Sequence, residues 1–444
     1  MAYTKRKPRG SPLFQCLSDH WEAFSGQHQD LFEDQDGPLR RRHQVVIGQF
    51  MECGLMDFGF VRVRCGDCGH ELLLPFSCKT RGFCPSCAKK RECFFGEFLL
   101  NEVLERVTHR HVVFTIPKRL RGYFDQDRHL LPELSRMGYE SVIEVLREQL
   151  DAPTDRGAAV IVSQTFGSLL DFTPHSHALV AWGLFGAEGG FTGAFNIPVD
   201  VIAELFRHKV FMFLLGNGLI PEAIVKNMMG WHHSGFSVFV GPPVYAFQRD
   251  RLFQLASYMV RGPVALSRME YDPEAEWKSK EVKGLKRAFE EIGLDDDVRG
   301  KVTVCASHVH HKYGKNRREW TPLLFIRDLI RHIPDRHQKM TNYYGWYSNR
   351  ARGDRKKRME AEGEELVIRQ MNPNLGKKLG HWRRFIKLIY ETDPLICPNC
   401  DKEMDVVSHI HEPNVVFKIL KHLDLLNEDQ AWEAGGRDPP AKTG

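Results

Sequence analysis

Residues 158–180 of this 444-residue chain, AAVIVSQTFGSLLDFTPHSHALV, decide its fold class. The first nine of these residues and residues 175–180 are rich in β-branched and apolar side chains, which is typical of buried strands. Gly167 and Pro174 lie between the two runs and indicate a turn. The stretch therefore predicts two paired strands within a buried sheet.

Further elements surround these two strands. HVVFTI at residues 111–116 predicts a third strand of the same kind. Apolar periodicity predicts helices at residues 39–56, 92–106, 199–215 and 250–261. Thr321 and Pro322 begin another helix that Pro334 ends, so we expect the carboxy-terminal third to be mainly helical. Mixed strands and helices around one sheet predict an α+β fold.

The composition limits the class of protein. A charged share of 27% with 42% hydrophobic residues is typical of a folded globular chain. The longest apolar run, residues 210–220, contains Gly and Asn and is shorter than the ~20 residues that span a bilayer. The basic amino terminus precedes no apolar segment, so it does not resemble a secretory signal. We expect a cytoplasmic protein without a membrane partner.

The cysteines point to metal binding. Eleven Cys, an odd number, in a chain without a secretory signal argue against a disulfide framework. Cys65, Cys68, Cys84 and Cys87 form two CxxC pairs separated by 15 residues, a spacing typical of a four-cysteine zinc site. We therefore predict that these four thiolates bind one structural Zn²⁺, with His70, Cys78 and Cys93 nearby but outside the ligand set.

A third CxxC pair lies near the carboxy terminus. Cys397 and Cys400 are a candidate second zinc site, which His409 and His411 would complete as a Cys2His2 set. A surface strand carrying the two histidines is the alternative, because residues i and i+2 of any strand share a face.

His175 and His177 also share a strand face, so both imidazoles could bind one divalent cation. Three other pairs have the same HxH spacing, namely His109/His111, His308/His310 and His409/His411. On the helix over residues 250–261, Tyr258 falls outside the apolar stripe, beside Arg251 and Arg261. Together these residues suggest a phosphate held by a cation and attacked by a tyrosine.

Seven stretches, in order from about Asp19 to about Leu425, carry a resemblance to a known family. They are CGDCGHELLLPFSCKTRGFCPSC, HVVFTIPKRLR, QTFGSLLDFTPHSHALV, YMVRGPVALSRM, HIPDRHQ, TNYYGWYSNRARG and DPLICPNCDKEM. The combination resembles the insertion-sequence transposases that carry an amino-terminal zinc-binding domain and a rolling-circle-type HUH nuclease. The resemblance implies an antiparallel-sheet nuclease core flanked by a helical, zinc-ribbon domain and a helical carboxy-terminal region.

The resemblance also implies an activity: cleavage and rejoining of single-stranded DNA through a 5′-phosphotyrosine, with Mg²⁺ or Mn²⁺ at the site. His175 and His177 match the HUH pair, and Tyr258 matches the nucleophile. Gln164 is the first candidate for a third metal ligand, with Asp171 the second. Two departures are Ser176, where the motif usually has a bulky apolar residue, and Gly262, where some relatives carry a second tyrosine.

DNA contacts are expected from basic and aromatic residues, because aromatic rings that alternate with cations suit single-stranded DNA. The candidates are Arg251, Arg261, Tyr343, Tyr344, Arg350 and Arg352. Tyr343, Tyr344 and Tyr347 are also rival nucleophiles. The expected partners are single-stranded DNA at the element's ends and target DNA, with a nucleoid association, and a homodimer is left open. The alternatives are a non-catalytic zinc-dependent DNA-binding relative and a plasmid replication initiator or relaxase.

These patterns divide the chain into six parts. They are residues 1–15, a disordered tail; 16–108, the helical and zinc-binding domain; 109–275, the nuclease core with its tyrosine helix; 276–392, a helical DNA-contacting region; 393–426, a small CxxC module; and 427–444, a second disordered tail.

Overall fold

The computed structural model describes residues 8–80, 82–276, 299–310, 315–361, 395–423 and 425. Its helices are α1 (Pro12–Asp36), α2 (Arg41–Met51), α3 (Pro85–Phe98), α4 (Lys118–Gln126), α5 (Leu130–Gln149), α6 (Val199–Gly216), α7 (Glu222–Met229), α8 (Arg249–Met259), α9 (Pro322–Ile330), α10 (Asn349–Ala361) and α11 (Pro413–His422). Its strands are β1 (Phe60–Cys65), β2 (Glu71–Pro75), β3 (His109–Thr115), β4 (Ala158–Phe166), β5 (Phe172–Ala181), β6 (Gly183–Phe185), β7 (Phe191–Gly193), β8 (Ser237–Val240), β9 (Met269–Glu276), β10 (Arg299–His310), β11 (Lys315–Trp320), β12 (Thr341–Gly345) and β13 (Met404–Ile410).

A five-stranded antiparallel sheet of order β12-β4-β5-β3-β8 forms the centre of the molecule. The predicted pairing of residues 158–166 with the histidine strand is confirmed, with Gln164 opposite His175. All nine residues of β4 are buried. This explains why its sequence is apolar without strict alternation, since helices cover both faces of the strand. The predicted α+β fold class is confirmed.

The two faces of the central sheet have different coverings. Alternation along β3 and β5 directs Val112, Phe114, Ala178 and Val180 toward a core that also contains residues of α4, α5 and α6. The opposite face packs against α3 and α8. Those two helices approach closely, since a Cβ on Gly96 would lie 2.7 Å from the Ser257 Oγ. The histidine face of the sheet is therefore covered by the helix that contains Tyr258.

A second sheet, of order β11-β10-β9, packs on α1 and α9. The prediction of a mainly helical region over residues 276–392 is therefore wrong in part, because residues 299–310, 315–320 and 341–345 are strands. Val302 and Val304 are buried in one core with Trp320 and Phe325. The same core contains residues of α1, which is distant from these four residues in the sequence. Residues 301–304, KVTV, contain three β-branched side chains, a local pattern typical of a strand that the prediction of a helical region did not include.

A third sheet, of order β13-β1-β2, joins the two ends of the described chain. Phe60 pairs with Ile410, and Cys65 pairs with Met404. The carboxy-terminal CxxC segment is thus part of the amino-terminal zinc region, and its assignment as a separate module over residues 393–426 is wrong. Helix α1 begins at Pro12, inside the tail predicted for residues 1–15. The tail predicted for residues 427–444 lies outside the described residues. None of the helices described here is long and apolar enough to cross a bilayer.

Candidate functional site

Four cysteine side chains form a buried group between α2 and α3, which we name the inner thiol cluster. It consists of Cys53, Cys78, Cys84 and Cys87. The Sγ atom of Cys53 lies 3.7 Å from that of Cys84 and 3.8 Å from that of Cys87, and the Sγ atoms of Cys78 and Cys87 are 3.6 Å apart. Hydrogen bonds from the neighbouring thiols, with Cys78 first, lower the pKa of Cys53. The arrangement favours a thiolate, the form that binds zinc, at Cys53, whereas the hydrogen bonds to Cys53 raise the pKa of Cys78 and Cys84.

A second group of thiols lies where β13 meets β1, and we name it the outer thiol cluster. It consists of Cys65, Cys68, Cys397 and Cys400. The Sγ atoms of Cys65 and Cys400 are 3.5 Å apart, and those of Cys68 and Cys397 are 3.4 Å apart. Antiparallel pairing of β1 with β13 places the two CxxC turns side by side, although Cys68 and Cys397 are 329 positions apart in the sequence.

The spacing within both clusters fits a tetrahedral zinc ion. Thiolates ~2.3 Å from one such ion lie ~3.8 Å from each other. The observed Sγ separations of 3.4–3.8 Å are near this value. The chain therefore offers two complete four-thiolate donor sets.

The predicted grouping of Cys65, Cys68, Cys84 and Cys87 around one ion is therefore wrong. The first pair lies in the outer cluster and the second pair in the inner cluster. Cys53 carries no CxxC signal and was outside the prediction, and Cys78 is part of a donor set. The Cys2His2 alternative is also wrong, because the His411 ring stacks on Phe76 at a centroid distance of 4.4 Å and His409 pairs with Val61.

Three histidines meet on the face of the central sheet that α8 covers. The Nε2 atoms of His175 and His177 are 3.1 Å apart. Two ligand nitrogens ~2.1 Å from one octahedral ion and at right angles would lie ~3.0 Å apart, so the pair fits a shared divalent cation. The third histidine, His111 on β3, was named in the sequence only as part of a rival pair. Its Nε2 atom lies 3.0 Å from the His177 Nδ1.

Hydrogen bonds assign the tautomers of these rings. The Nδ1–H of His175 donates to the Thr173 carbonyl oxygen at 2.7 Å, which leaves the Nε2 lone pair of His175 free to bind a cation. For His177 to offer Nε2 as well, its Nδ1–H must donate to His111 Nε2. His111 then acts as an orienting hydrogen-bond partner of His177 rather than as a ligand.

Burial keeps the three imidazoles neutral. It lowers the pKa of His175 to about 4, lowers the pKa of His177 well below its usual value, and lowers the pKa of His111. The positive forms of His175 and His111 contribute a smaller lowering at His177. Neutral imidazole is the form that binds metals, so the site is ready for a cation at neutral pH.

Gln164 joins this site to the helix above it. The residue is buried, with 3% of its surface exposed, and its Nε2 donates to the Met259 carbonyl oxygen at 2.7 Å. Its Oε1 atom is buried and has no hydrogen-bond partner among the described residues. Pairing with His175 places Gln164 on the histidine face of the sheet. A buried amide oxygen without a partner is suited to a cation ligand.

The other candidate ligand and the unusual motif residue have structural partners. Asp171 lies 3.6 Å from Arg318 in an ion pair, which argues against a role as metal ligand. Ser176 is fully buried on the opposite face of β5, where its Oγ is 3.1 Å from the Ser135 Oγ. The hydroxyl is therefore satisfied within the core, and the strand behind the histidines does not lose packing there.

Tyr258 lies directly over the histidines. Its ring centroid is 5.5 Å from that of His177, edge to face, and 43% of its surface is exposed. The Arg261 guanidinium lies 4.5 Å from the Tyr258 ring centroid. Helix α8 ends at Met259, so Gly262 does not continue the helical face that presents Tyr258. The geometry supplies one exposed phenol beside a cation site.

A cavity of about 690 Å³ opens beside this tyrosine. Tyr258, Gln254 and Arg261 form one wall, and Lys89 of α3 and Arg268 contribute basic groups to the others. Arg251, the second arginine predicted to contact DNA, is exposed on α8 but does not line the cavity. Arg261 and Arg268 give the cavity positive charge that complements phosphate, whereas Lys89 is paired with Glu92.

The residues predicted from TNYYGWYSNRARG lie mainly inside the fold. Tyr344 stacks on Tyr139 at 4.8 Å, and Tyr347 is fully buried with its hydroxyl 2.7 Å from His109 Nε2. Tyr343 is half-buried between Phe98 and Arg352. These contacts argue against all three tyrosines as nucleophiles.

The two arginines that follow differ from each other. Arg352 donates to the carbonyl oxygens of Tyr347 and Glu102, so it holds α10 to the core in place of the predicted DNA contact. Arg350 has a side chain that is 95% exposed. It keeps the predicted availability to DNA. His308 and His310 have side chains outside the described residues.

Comparisons with known proteins match two parts of this chain. A family model described as "Transposase zinc-binding domain" matches residues 19–116, and one described as "Putative transposase" matches residues 158–355. The chain is 22% identical over 390 residues to the transposase for insertion sequence element IS801 of Pseudomonas savastanoi pv. phaseolicola. That alignment covers 83% of this chain and 84% of the relative. No solved structure matches the chain. The first model includes the whole inner thiol cluster, and the second includes His175, His177 and Tyr258.

Proposed function

This chain belongs to the insertion-sequence transposases that carry an amino-terminal zinc-binding domain, and we propose that it cleaves and rejoins single-stranded DNA through a covalent 5′-phosphotyrosine on Tyr258. The observation that carries the proposal is the position of the Tyr258 ring, 5.5 Å from His177 on the face of the central sheet. A nucleophile and a cation site must lie this close to act on one phosphate.

Three side chains would hold the divalent cation. They are His175 through Nε2, His177 through Nε2 and Gln164 through Oε1. When bound, the ion supplies charge stabilisation at the scissile phosphate. Two nitrogens and one amide oxygen favour Mn²⁺ over Mg²⁺, because imidazole is a softer donor than carboxylate or water oxygen.

The protein's own residues account for the reaction steps. The Tyr258 oxygen forms a bond to phosphorus as its proton passes to water, and the bond from phosphorus to the 3′ oxygen breaks. The leaving 3′ oxygen takes up a proton and becomes a free hydroxyl. Arg261, 4.5 Å from the Tyr258 ring, lies where its cation can stabilise the negative charge that develops on phosphate. Rejoining reverses these steps when a 3′-hydroxyl attacks the phosphotyrosine.

Eight thiolates support a structural role for zinc in this proposal. The inner thiol cluster fixes the start of α3, since Cys84 and Cys87 lie at that end of the helix. Helix α3 packs on α8 and lines the cavity beside Tyr258. We infer that zinc at the inner cluster stabilises one wall of the DNA path, and that zinc at the outer cluster joins β13 to β1.

The test is a denaturing gel that detects covalent attachment of the protein to single-stranded DNA from the ends of its element. We expect an adduct with wild type in Mn²⁺ or Mg²⁺ and none with Tyr258→Phe or with EDTA. Tyr123→Phe is the matched control, because Tyr123 is a partly buried tyrosine of α4 that packs on the core of the opposite face of the sheet. An adduct that survives Tyr258→Phe would assign the nucleophile elsewhere. DNA binding without any adduct in wild type would favour a non-catalytic DNA-binding protein.

A further inference from the structure

Three aromatic side chains are exposed in β8 and in the segment between β8 and α8, the helix that carries Tyr258. Phe239 is 55% exposed, Tyr245 is 47% exposed and Phe247 is 81% exposed. A single exposed ring needs no explanation, but three within nine residues form a feature that folding does not account for. The core contacts described here do not require these three rings to be exposed to solvent.

Phe239 lies on the histidine face of the central sheet. Val113 pairs with His177 on one side and with Phe239 on the other, so all three side chains point to the same face. The neighbours of Phe239 in β8, Val238 and Val240, pack on the core of the opposite face. β8 is the edge strand of this sheet, and Val113 of β3 lies between Phe239 and His177.

Tyr245 and Phe247 lie in the segment that leads from β8 to α8. Val244 pairs with His109, which fixes the segment along β3. The rings of Tyr245 and Phe247 are parallel within 4°, with centroids 5.8 Å apart. The Gln248 Oε1 atom accepts from the backbone N–H of Tyr245 at 3.0 Å, so the turn that presents both rings is fixed before any ligand binds.

We propose that Phe239, Tyr245 and Phe247 form a stacking platform for the unpaired bases of single-stranded DNA next to the scissile phosphate. The inference rests on the proposed function, because Phe239 lies on the sheet face that carries the histidines. Exposed aromatic faces stack on any base, whereas cations track the backbone. The exposed Arg251 follows the platform in α8 and supplies that charge, whereas Arg249 donates to Leu100 and Asn101.

The platform takes the role that the sequence assigned to Tyr343 and Tyr344. Those rings lie at β12, the other edge of the same sheet, where Phe98, Arg352 and Tyr139 cover them. The aromatic contacts to DNA therefore belong at the β8 edge, on the side from which α8 begins.

The test measures binding rather than cleavage. A mixed-sequence single-stranded oligonucleotide containing 2-aminopurine is titrated into the full-length Tyr258→Phe protein without divalent metal, and 2-aminopurine fluorescence reports base stacking. We expect Phe239→Ala and Phe247→Ala each to weaken Kd about ten-fold and to remove part of the fluorescence quenching. Phe239→Tyr and Phe247→Tyr should restore both signals.

Phe195→Ala is the matched control. Phe195 is 84% exposed but lies in the loop before α6. Its neighbour Ala194 packs on the core opposite the histidine face. Unchanged Kd and quenching in both alanine variants would overturn the platform. A shift from dimer to monomer in Phe239→Ala, with DNA binding per chain unchanged, would also overturn it and would assign the β8 edge to a second copy of this chain.

Failure of the proposed nuclease would be distinguishable from failure of the platform. The titration needs neither metal nor the Tyr258 hydroxyl, so stacking can be observed in a protein that forms no adduct. Loss of adduct in wild type with intact aromatic-dependent quenching would contradict the nuclease alone. A normal adduct in wild type, together with quenching that is unchanged in Phe239→Ala and Phe247→Ala, would contradict the platform alone.

Discussion

The Nε2 of Gln164 donates a 2.7 Å hydrogen bond to the carbonyl oxygen of Met259, and this bond joins the strand beside the histidines to the helix that carries Tyr258. The same amide leaves its Oε1 buried and facing no donor among the described residues. One side chain thus links Tyr258, the proposed nucleophile, to the proposed cation site.

Gln164→Ala should lower both the affinity for Mn²⁺ and the yield of phosphotyrosine. Loss of one ligand and of its hydrogen bond to Met259 should weaken Mn²⁺ binding by at least about ten-fold. Isothermal titration of Mn²⁺ into the Tyr258→Phe background measures the affinity separately from cleavage. Gln338→Ala is the control, because Gln338 is also a buried glutamine whose amide donates to a backbone carbonyl, that of Arg128. Equal Mn²⁺ affinity in the two variants would remove Gln164 from the ligand set.

His111→Ala should weaken Mn²⁺ binding by about 10- to 100-fold without removing a ligand, because His177 loses the partner that fixes its tautomer. His111→Gln should recover part of the affinity, since its amide oxygen can accept from His177. His109→Ala on the same strand should destabilise the core but leave Mn²⁺ affinity unchanged, because His109 contacts Tyr347 and Val107. A wild-type affinity in His111→Ala would show that His177 needs no such partner.

Arg261→Ala should reduce the rate of adduct formation by about 100-fold, the usual effect of removing one group that stabilises developing charge. Arg251→Ala should have a much smaller effect, because Arg251 lies on the same helix but outside the cavity. Single-turnover gels at saturating DNA separate this loss from weaker binding. Similar rates of adduct formation in the two variants would show that the Arg261 contact with Tyr258 has no special role in the reaction.

Metal analysis should find two zinc ions per chain from the two thiol clusters. Cys53→Ser and Cys400→Ser should each reduce the content to one, because each removes a ligand from a different cluster. Cys305→Ser should retain two ions, since Cys305 lies outside both clusters. A single ion in wild type that survives Cys53→Ser would contradict the inner cluster as a zinc site.

Stability should fall as the pH is lowered from about 6.5 toward 4. Burial lowers the pKa of His332 to about 4, so between these values the unfolded chain binds a proton that the folded chain does not. The loss attributable to His332 is up to about 3 kcal/mol. Urea unfolding at pH 7 and pH 5 measures the first part of this loss, about 2 kcal/mol, and His332→Gln should reduce the dependence. Stability that rises on acidification would contradict the neutral, buried state of this histidine.

The sequence by itself determined the parts of this protein that depend on local patterns. The strand over residues 158–166, the adjacent histidine strand and the helix around Tyr258 all follow from short-range apolar patterns. The placement of His175 and His177 on one strand face follows from the two-residue period of a strand. Local chemistry was also sufficient to identify CxxC turns as metal ligands, because two thiolates of one turn can reach the same ion.

Only the tertiary structure decided which of these parts meet. The division of eight thiols into two clusters depends on the pairing of β1 with β13, which no spacing along the chain encodes. His111 reaches His177 because β3 and β5 are neighbours in register, and Gln164 reaches Met259 because α8 crosses the sheet. The exposed faces of Phe239 and Phe247 follow in the same way from the place of β8 at the sheet edge. Contacts between distant segments are set by packing of whole elements, and a local pattern carries no information about them.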